Sequence, residues 1–445
     1  NLPALLFSLG TAVGSAVLFG LAPAMQTVRK DLVEPLKDAS KGAGGGFRRG
    51  RMRNALVVFE VALSLVLLSG AGLLMRSFVK LRQVDLGFNP ENILVARLPF
   101  PRGQYTTAAD KQRFFEQLLP RLRALPGVVA ATETTTLPPY GGIGSEIDIV
   151  GKTHTEQWRA MFQLCSEGYF STLQLRTILG RTLSETEVNS ARKVAVVNQT
   201  FVNKFLGNEY PIGRKVKINM LESMPDSPVK DPVFEVIGVI SDARNQGLRE
   251  PPGPEMFVPY TITGAFNRGI LVRTSAPPLS LLNDVRREIW AVDRGVALTL
   301  TGSLEDFLNR YSYAEPRFSL VLMSVFASVG LTLVALGVFS VIAYTVARQT
   351  HEIGIRMALG AGRTDVVRMV LRGGLQLVGL GVGVGLLASF AVTRVIANQI
   401  WGVSPRDPLT LGAAVIVVAL AGLAACYFPA RRATRVDPMV ALRTE

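Results

Sequence analysis

Histidine and cysteine are scarce in this sequence, with 2 of each in 445 residues, and long stretches carry almost no charge. Each shortage excludes something. Two histidines, His154 and His351, are too few and too far apart for most metal or hydrolytic centres, and Cys165 and Cys426 make no disulfide framework. A phosphate-binding loop is also missing. Its nearest approach, Gly151-Lys152-Thr153, has Glu146 where the first glycine must stand, and the run Gly42 to Gly46 is not followed by Lys-Ser or Lys-Thr at the required spacing. No nucleotide hydrolysis is therefore expected on this chain, nor any cofactor. Leu68-Ser69-Gly70 is similar to an ATPase signature loop but falls inside an apolar stretch.

What is present are five stretches long enough to cross a hydrocarbon core of about 30 Å at about 1.5 Å per residue. Asn1 to Val28, Phe318 to Ala347, Gly373 to Thr393 and Pro408 to Ala430 contain no charged residue, and Ala55 to Met75 contains only Glu60. Glu60 is the sole ionisable group near a midplane position, about 8 Å in from one helix end. It is expected to reach the interface or to pair with Arg51 or Arg53.

The net charge of +14 does not indicate nucleic acid, because of where it sits. From Gln83 to Glu315 there are 25 basic and 25 acidic residues, so the whole excess flanks the apolar stretches. Arg29, Lys30, Lys37, Lys41, Arg48, Arg49, Arg51 and Arg53 form one cluster. Arg348, Arg356, Arg363, Arg368 and Arg372 form a second, and Arg431, Arg432, Arg435 and Arg443 a third. The positive-inside rule puts all three on the cytoplasmic side, which places the amino terminus and residues 83–315 outside. His154 then lies across the membrane from His351, and Cys165 from Cys426. The expected fold is an α-helical transmembrane bundle of five spans with a large α+β extracytoplasmic domain, in a multi-pass membrane protein.

Along the chain, residues 1–28 form the first span, 29–54 a basic linker, 55–82 a span continuing as a stalk, and 83–315 the outer domain. Residues 316–430 hold three more spans with a cytoplasmic connection at 348–368, and 431–445 a tail. Period and turn signals give strands at Ile93–Leu98, Val128–Thr136, Val194–Asn198 and Phe234–Ile240, and helices at about Asp110–Leu125 and Ser280–Val292. The outer domain is expected to divide into two α+β subdomains, with its acids on a solvated surface.

The first and last spans end alike. Pro23-Ala24, Arg29 and Pro35 correspond to Pro429-Ala430, Arg435 and Pro438, as an internal duplication would produce. The start at Asn1-Leu2-Pro3, without methionine or a basic leader, fits a fragment whose first span closes a preceding repeat. In the fourth span, Gly379, Gly381, Gly383 and Gly385 make two overlapping Gly-xxx-Gly pairs suited to close helix packing. The cytoplasmic run Arg348–Arg363 places Ile353, Ile355, Met357 and Leu359 among charges, so either the helix bases or a partner protein must cover them.

At this run the sequence resembles the MacB/FtsX family of ABC permeases. The likeness is carried by Glu352, Ile353, Gly354, Ile355 and Arg356, then Ala358, Leu359, Gly360 and Ala361. Further likenesses are Pro429-Ala430 with Pro438 and, outside, Tyr169-Phe170, Gly180-Arg181, Pro211-Ile212-Gly213 and Phe234 to Val239. The resemblance implies a permease subunit whose ATPase, with its ATP and magnesium, is a separate protein contacting the loop from Glu352 to Ala361. It also implies stalk helices that carry ATP-driven motion outward for export or mechanotransmission. Implied partners are that ATPase, a missing amino-terminal permease repeat or a second permease copy, membrane lipid and, in some members, a periplasmic adaptor. A secondary transporter working through Glu60, or a membrane sensor, is the alternative function.

Overall fold

The computed structural model describes residues 2–16, 46–101, 103–224, 228–359, 362–396 and 399–434. They form two compact units. One comprises residues 1–70, 324–395 and 406–445, the other 71–323 and 396–405.

The first unit is helical. Its elements are α1 (Leu2–Ala16), most of α2 (Gly46–Arg82) and of α6 (Ala314–Arg348), then α7 (Thr350–Ala358), α8 (Arg363–Ile396) and α9 (Pro408–Ala433). Four helices among the described residues are long and apolar enough to cross a membrane: Met52–Arg82, Ala314–Arg348, Arg363–Val392 and Pro408–Arg432. The expected first span is helical over Leu2–Ala16, and its remainder lies outside the described residues, as do the basic linker to residue 45 and the tail from residue 435. The two matching Pro-Ala endings therefore fall largely outside them.

Inside the bundle, Val57, Val61 and Leu65 of α2 meet Val334, Val338 and Val341 of α6, with Val378 of α8 and Val418 of α9. Residues at steps of three and four place each set on one face. The opposite faces stay apolar and open: Phe59 is 64% exposed, Leu387 74% and Leu409 72%. In water such surfaces would aggregate; against acyl chains they are at home.

The second unit is built on one continuous 11-stranded sheet. Its strands are β1 (Ile93–Leu98), β2 (Val128–Thr134), β3 (Ile143–Ile149), β4 (Arg159–Cys165), β5 (Thr177–Gly180), β6 (Val194–Asn198), β7 (Lys215–Ile218), β8 (Val233–Ile240), β9 (Glu255–Pro259), β10 (Arg268–Thr274) and β11 (Thr299–Ser303). The order β11-β1-β10-β2 continues to β4 through a single residue pair, Thr134 with Cys165. Beyond it, β4-β3-β7-β8-β6-β9 closes into a ring, because β9 pairs back onto β4 in parallel. β5 edges β8. The outer domain is thus one sheet with a narrow waist between an open half and a closed half.

Helix α3 (Ala108–Arg123) covers this sheet. Thr107 and Asp110 make a reciprocal capping box at its start, and Phe114, Phe115, Leu118, Leu119 and Leu122 form its buried face. Helix α4 (Leu282–Val292) buries Val285 and Ile289, and α5 (Leu304–Tyr311) buries Leu304 and Leu308. The family-like motifs serve this core. Tyr169 and Phe170 pack with Phe257, while Gly213 turns at φ 84° and donates its N–H to Val236 O. Arg181 binds Glu187 with two bonds of 2.7 Å, and the segment Phe234 to Val239 lies within β8.

Candidate functional site

The residues Thr350–Ala358 form a short helix rather than a loop, so the alternation of charged and apolar residues resolves into two faces. One face turns inward. Ile353 is 1% exposed and packs with Val366 of α8, joined by Val346 of α6 and by Met357 and Met369. Gly354 is buried beside it. The other face holds Glu352, Ile355, Arg356 and Leu359, spaced by three and four residues as one stripe requires. Glu352 and Arg356 form an exposed ion pair of 2.5 Å, and a second guanidinium nitrogen lies 2.7 Å from Met369 Sδ. Ile355 is 39% exposed and Leu359 82%.

Thus the helix bases cover part of the apolar set, Ile353 and Met357, and leave Ile355 and Leu359 open. An exposed i, i+4 ion pair contributes at most about 0.5 kcal/mol. Glu352 and Arg356 therefore add little to folding and present one charge of each sign beside two apolar side chains. Ala358 ends the helix; Gly360 and Ala361 lie outside the described residues. Gly362 starts the next helix by donating its N–H to Asp365 Oδ2 at 3.1 Å.

The four glycines of α8 divide by face. A Cβ on Gly381 would stand 2.5 Å from Val61 Cβ, and one on Gly385 would stand 3.0 Å from Ala62 Cα, so both let α8 approach α2. At Gly379 and Gly383 a Cβ would meet nothing within 4 Å. Glu60 does not pair with Arg53. Its carboxylate packs over Gly337 of α6 with Oε2 finding no hydrogen-bond partner among the described residues, while Arg53 lies 4.1 Å above the Tyr344 ring. The side chain of Arg51 is outside the described residues.

Two features escaped the sequence. In the second unit, the segment after α8 is held by α2 and the outer domain. Trp401 donates its backbone N–H to Ser77 Oγ at 2.7 Å and its indole N–H to Arg249 O at 2.7 Å, and Lys80 donates to Gly402 O at 2.5 Å. Leu81, Leu248 and Leu308 pack beneath the indole. Its only sequence signal is one tryptophan in a short connection. The second feature corrects the expectation of solvated acids: Glu133, Glu187 and Glu255 are buried.

Arg268 Nε lies 3.2 Å from Glu133 Oε1 with both side chains fully enclosed, and Arg268 also donates to Tyr260 O and Thr263 O. Burial pushes Glu255 up to about 8, against two bonds from Asn245 that favour the charged form. Glu187 goes the other way, down to about 2, because Arg181 and Ser184 bond its carboxylate. No group of three His, Cys, Asp or Glu residues among the described residues is placed to hold a metal ion.

Two family models match the chain. One, described as MacB-like periplasmic core domain, matches residues 54–290; the other, described as FtsX-like permease C-terminal, matches residues 324–438. Among curated proteins, the macrolide export ATP-binding/permease protein MacB of Chromobacterium violaceum is 24% identical over 286 residues, 62% of this chain and 42% of its own length. The protein of the same name in Wolinella succinogenes is 28% identical over 286 residues, covering 60% of this chain and 41% of its own length. The chain's matches thus span about two fifths of these relatives. Among solved structures, the periplasmic region of MacB from Actinobacillus actinomycetemcomitans is 18% identical, with a TM-score of 0.34 over 50% of this chain and 94% of that one. The extracellular domain of the noncanonic ABC-type transporter YknZ from Gram-positive bacteria is 16% identical, with a TM-score of 0.29 over 46% and 99%. With a core-domain match over more than half its length, an FtsX-like match behind it and four apolar helices, this multi-pass inner-membrane chain belongs to the MacB/FtsX family of ABC permeases.

Proposed function

We propose that this chain is the permease subunit of an ABC exporter and couples ATP hydrolysis on a separate ATPase to movement of its outer domain. The observation that carries this reading is the outward face of α7. It combines Glu352, Arg356, Ile355 and Leu359 on a helix whose inner face, through Ile353, is wedged against the bases of α6 and α8. A partner that pushes on such a helix moves the spans with it, because packed interfaces shift as bodies rather than deform. Nucleotide binding then selects between two arrangements through its different affinity for each. The names of the curated relatives pair ATP binding with permease function, which supports ATP hydrolysis as the source of the motion.

The test replaces Glu352 by Arg and, separately, Leu359 by Asn. Both side chains are exposed, so the bundle should insert at normal levels. Each variant is expected to lower co-purification of the cognate ATPase and permease-stimulated ATP turnover by about tenfold or more, the size of a lost interface anchor. Glu185→Arg in the outer domain serves as control. Wild-type values for both measurements in both variants would reduce α7 to a connection between helices.

A further inference from the structure

We propose that the cytoplasmic end of α8 carries a binding site for an anionic phospholipid of the inner leaflet, which holds the headgroup phosphate with arginines and an acyl chain along leucines. An open groove of about 780 Å³ lies there, lined by Arg363, Arg368 and Arg372, by Leu375 and the half-buried Leu371, whose other side meets the bundle core, and by Thr434 at the end of α9. The lining positions recur at three and four residues and so occupy one face of α8. The bundle uses the other face: Val366 packs on Ile353, Gly374 lies against Cys426, and Val378 belongs to the core. Nothing in the packing of the bundle requires the groove face to be basic.

Charge identifies the ligand as an anion. None of Arg363, Arg368 and Arg372 has an ion pair among the described residues, and neither have Arg431 and Arg432 at the end of α9. Asp365, the one acid of α8, is turned to the backbone N–H of Gly362. Guanidinium forks match phosphate oxygens in geometry as well as charge.

Depth identifies it as a lipid. The apolar helix Arg363–Val392 has 30 residues. At about 1.5 Å per residue it exceeds a core of about 30 Å by some ten residues, the length from Arg363 to Arg372. The arginines then stand at headgroup level, while Leu375, 41% exposed, begins the acyl region. Free phosphate has no use for the apolar lining. A second copy would set arginine against arginine across a twofold axis, and a soluble ATPase does not reach the depth of Leu375. Basic pockets at the cytoplasmic ends of membrane helices suit anionic headgroups. The site is independent of the coupling role proposed for α7.

The experiment is native mass spectrometry of the full-length protein in neutral detergent with equimolar dioleoyl-phosphatidylglycerol and dioleoyl-phosphatidylcholine. Wild type should retain the anionic lipid over the zwitterionic one by about tenfold, and Arg368→Gln/Arg372→Gln should bring the ratio to within about twofold. Arg368→Lys/Arg372→Lys, which keeps charge but loses the fork, should fall between and guards against a folding artefact. Millimolar inorganic phosphate should leave lipid binding intact. Equal retention of the two lipids by wild type, an unchanged ratio in the Gln variant, full displacement by phosphate, or a dimer cross-linked through position 375 whatever the lipid would each overturn the proposal.

Discussion

Glu255 shows how much a single side chain can hide from sequence. Counted among 25 acids balanced by 25 bases, it reads as surface, yet it sits fully enclosed at the start of β9 with Asn245 bonding both its oxygens. Its burial follows from pairings between strands distant in sequence, β9 with β4 and with β6, which no local pattern encodes. A consequence follows for pH. Its carboxyl is raised to about 8 in the folded protein from an ordinary 4.5, so the folded state binds the proton more tightly than the unfolded state. Its contribution to stability is present below pH 4.5 and is lost as pH rises to about 8. Glu187, held down at about 2, contributes above 4.5 and loses that contribution only as pH falls through about 2, so it does not offset Glu255 in that window. Glu255→Gln keeps the shape and removes the titration. Thermal melting of the outer domain in full-length protein should show a smaller loss of stability between pH 5 and pH 8 in this variant than in wild type. Parallel pH profiles would mean that Glu255 ionises inside the fold without cost.

At the scale of elements, local signals succeeded where one short segment meets one neighbour. The helix expected at about Asp110–Leu125 and the β-branched runs of β1, β6 and β8 were readable within a few residues, and the capping box of Thr107 and Asp110 starts that helix two residues earlier, at Ala108. The α7 stripe was only half readable. Alternating charge and apolarity named the residues, but the division of Ile353 from Ile355 and Leu359 depends on where Val346 and Val366 stand. Trp401 was not readable, because its partners Ser77 and Arg249 lie over 150 residues away. The strap it makes leads to a prediction about local stability. Trp401→Ala removes the indole bond to Arg249 O and the indole above Leu81, Leu248 and Leu308 while keeping the backbone bond to Ser77, a change of the size that costs about 3–5 kcal/mol in a closed core and less at this part-exposed seat. Amide hydrogen exchange in full-length protein should speed up at residues 77–82 and 246–250, with β1 and β10 unchanged. Uniform acceleration across the sheet, or none at all, would contradict a strap that acts locally.

On the scale of the whole molecule, the division into membrane and outer parts was the most legible feature. It rests on sums over many residues: charge-free lengths, the balance of charges from Gln83 to Glu315, and basic clusters beside the spans. Averages of this kind survive ignorance of any single contact. Sheet topology does not, which is why the narrow waist at Thr134–Cys165 and the ring closed by β9 on β4 were not readable from the sequence. Function follows the same rule. The family was legible from the Glu352 to Ala361 motif, and the structure adds which of its side chains are free to touch something else.

That distinction permits a direct measurement of coupling. A photo-activatable amino acid placed singly at positions 353, 355 and 359 of the full-length permease, in membranes containing its cognate ATPase, reports which face of α7 meets the partner. Ile355 and Leu359 point outward and Ile353 is 1% exposed, so adducts to the ATPase are expected from 355 and 359 and not from 353. Adducts from none of the three in membranes where the ATPase is active, or an adduct from 353 alone, would contradict the coupling role of this helix.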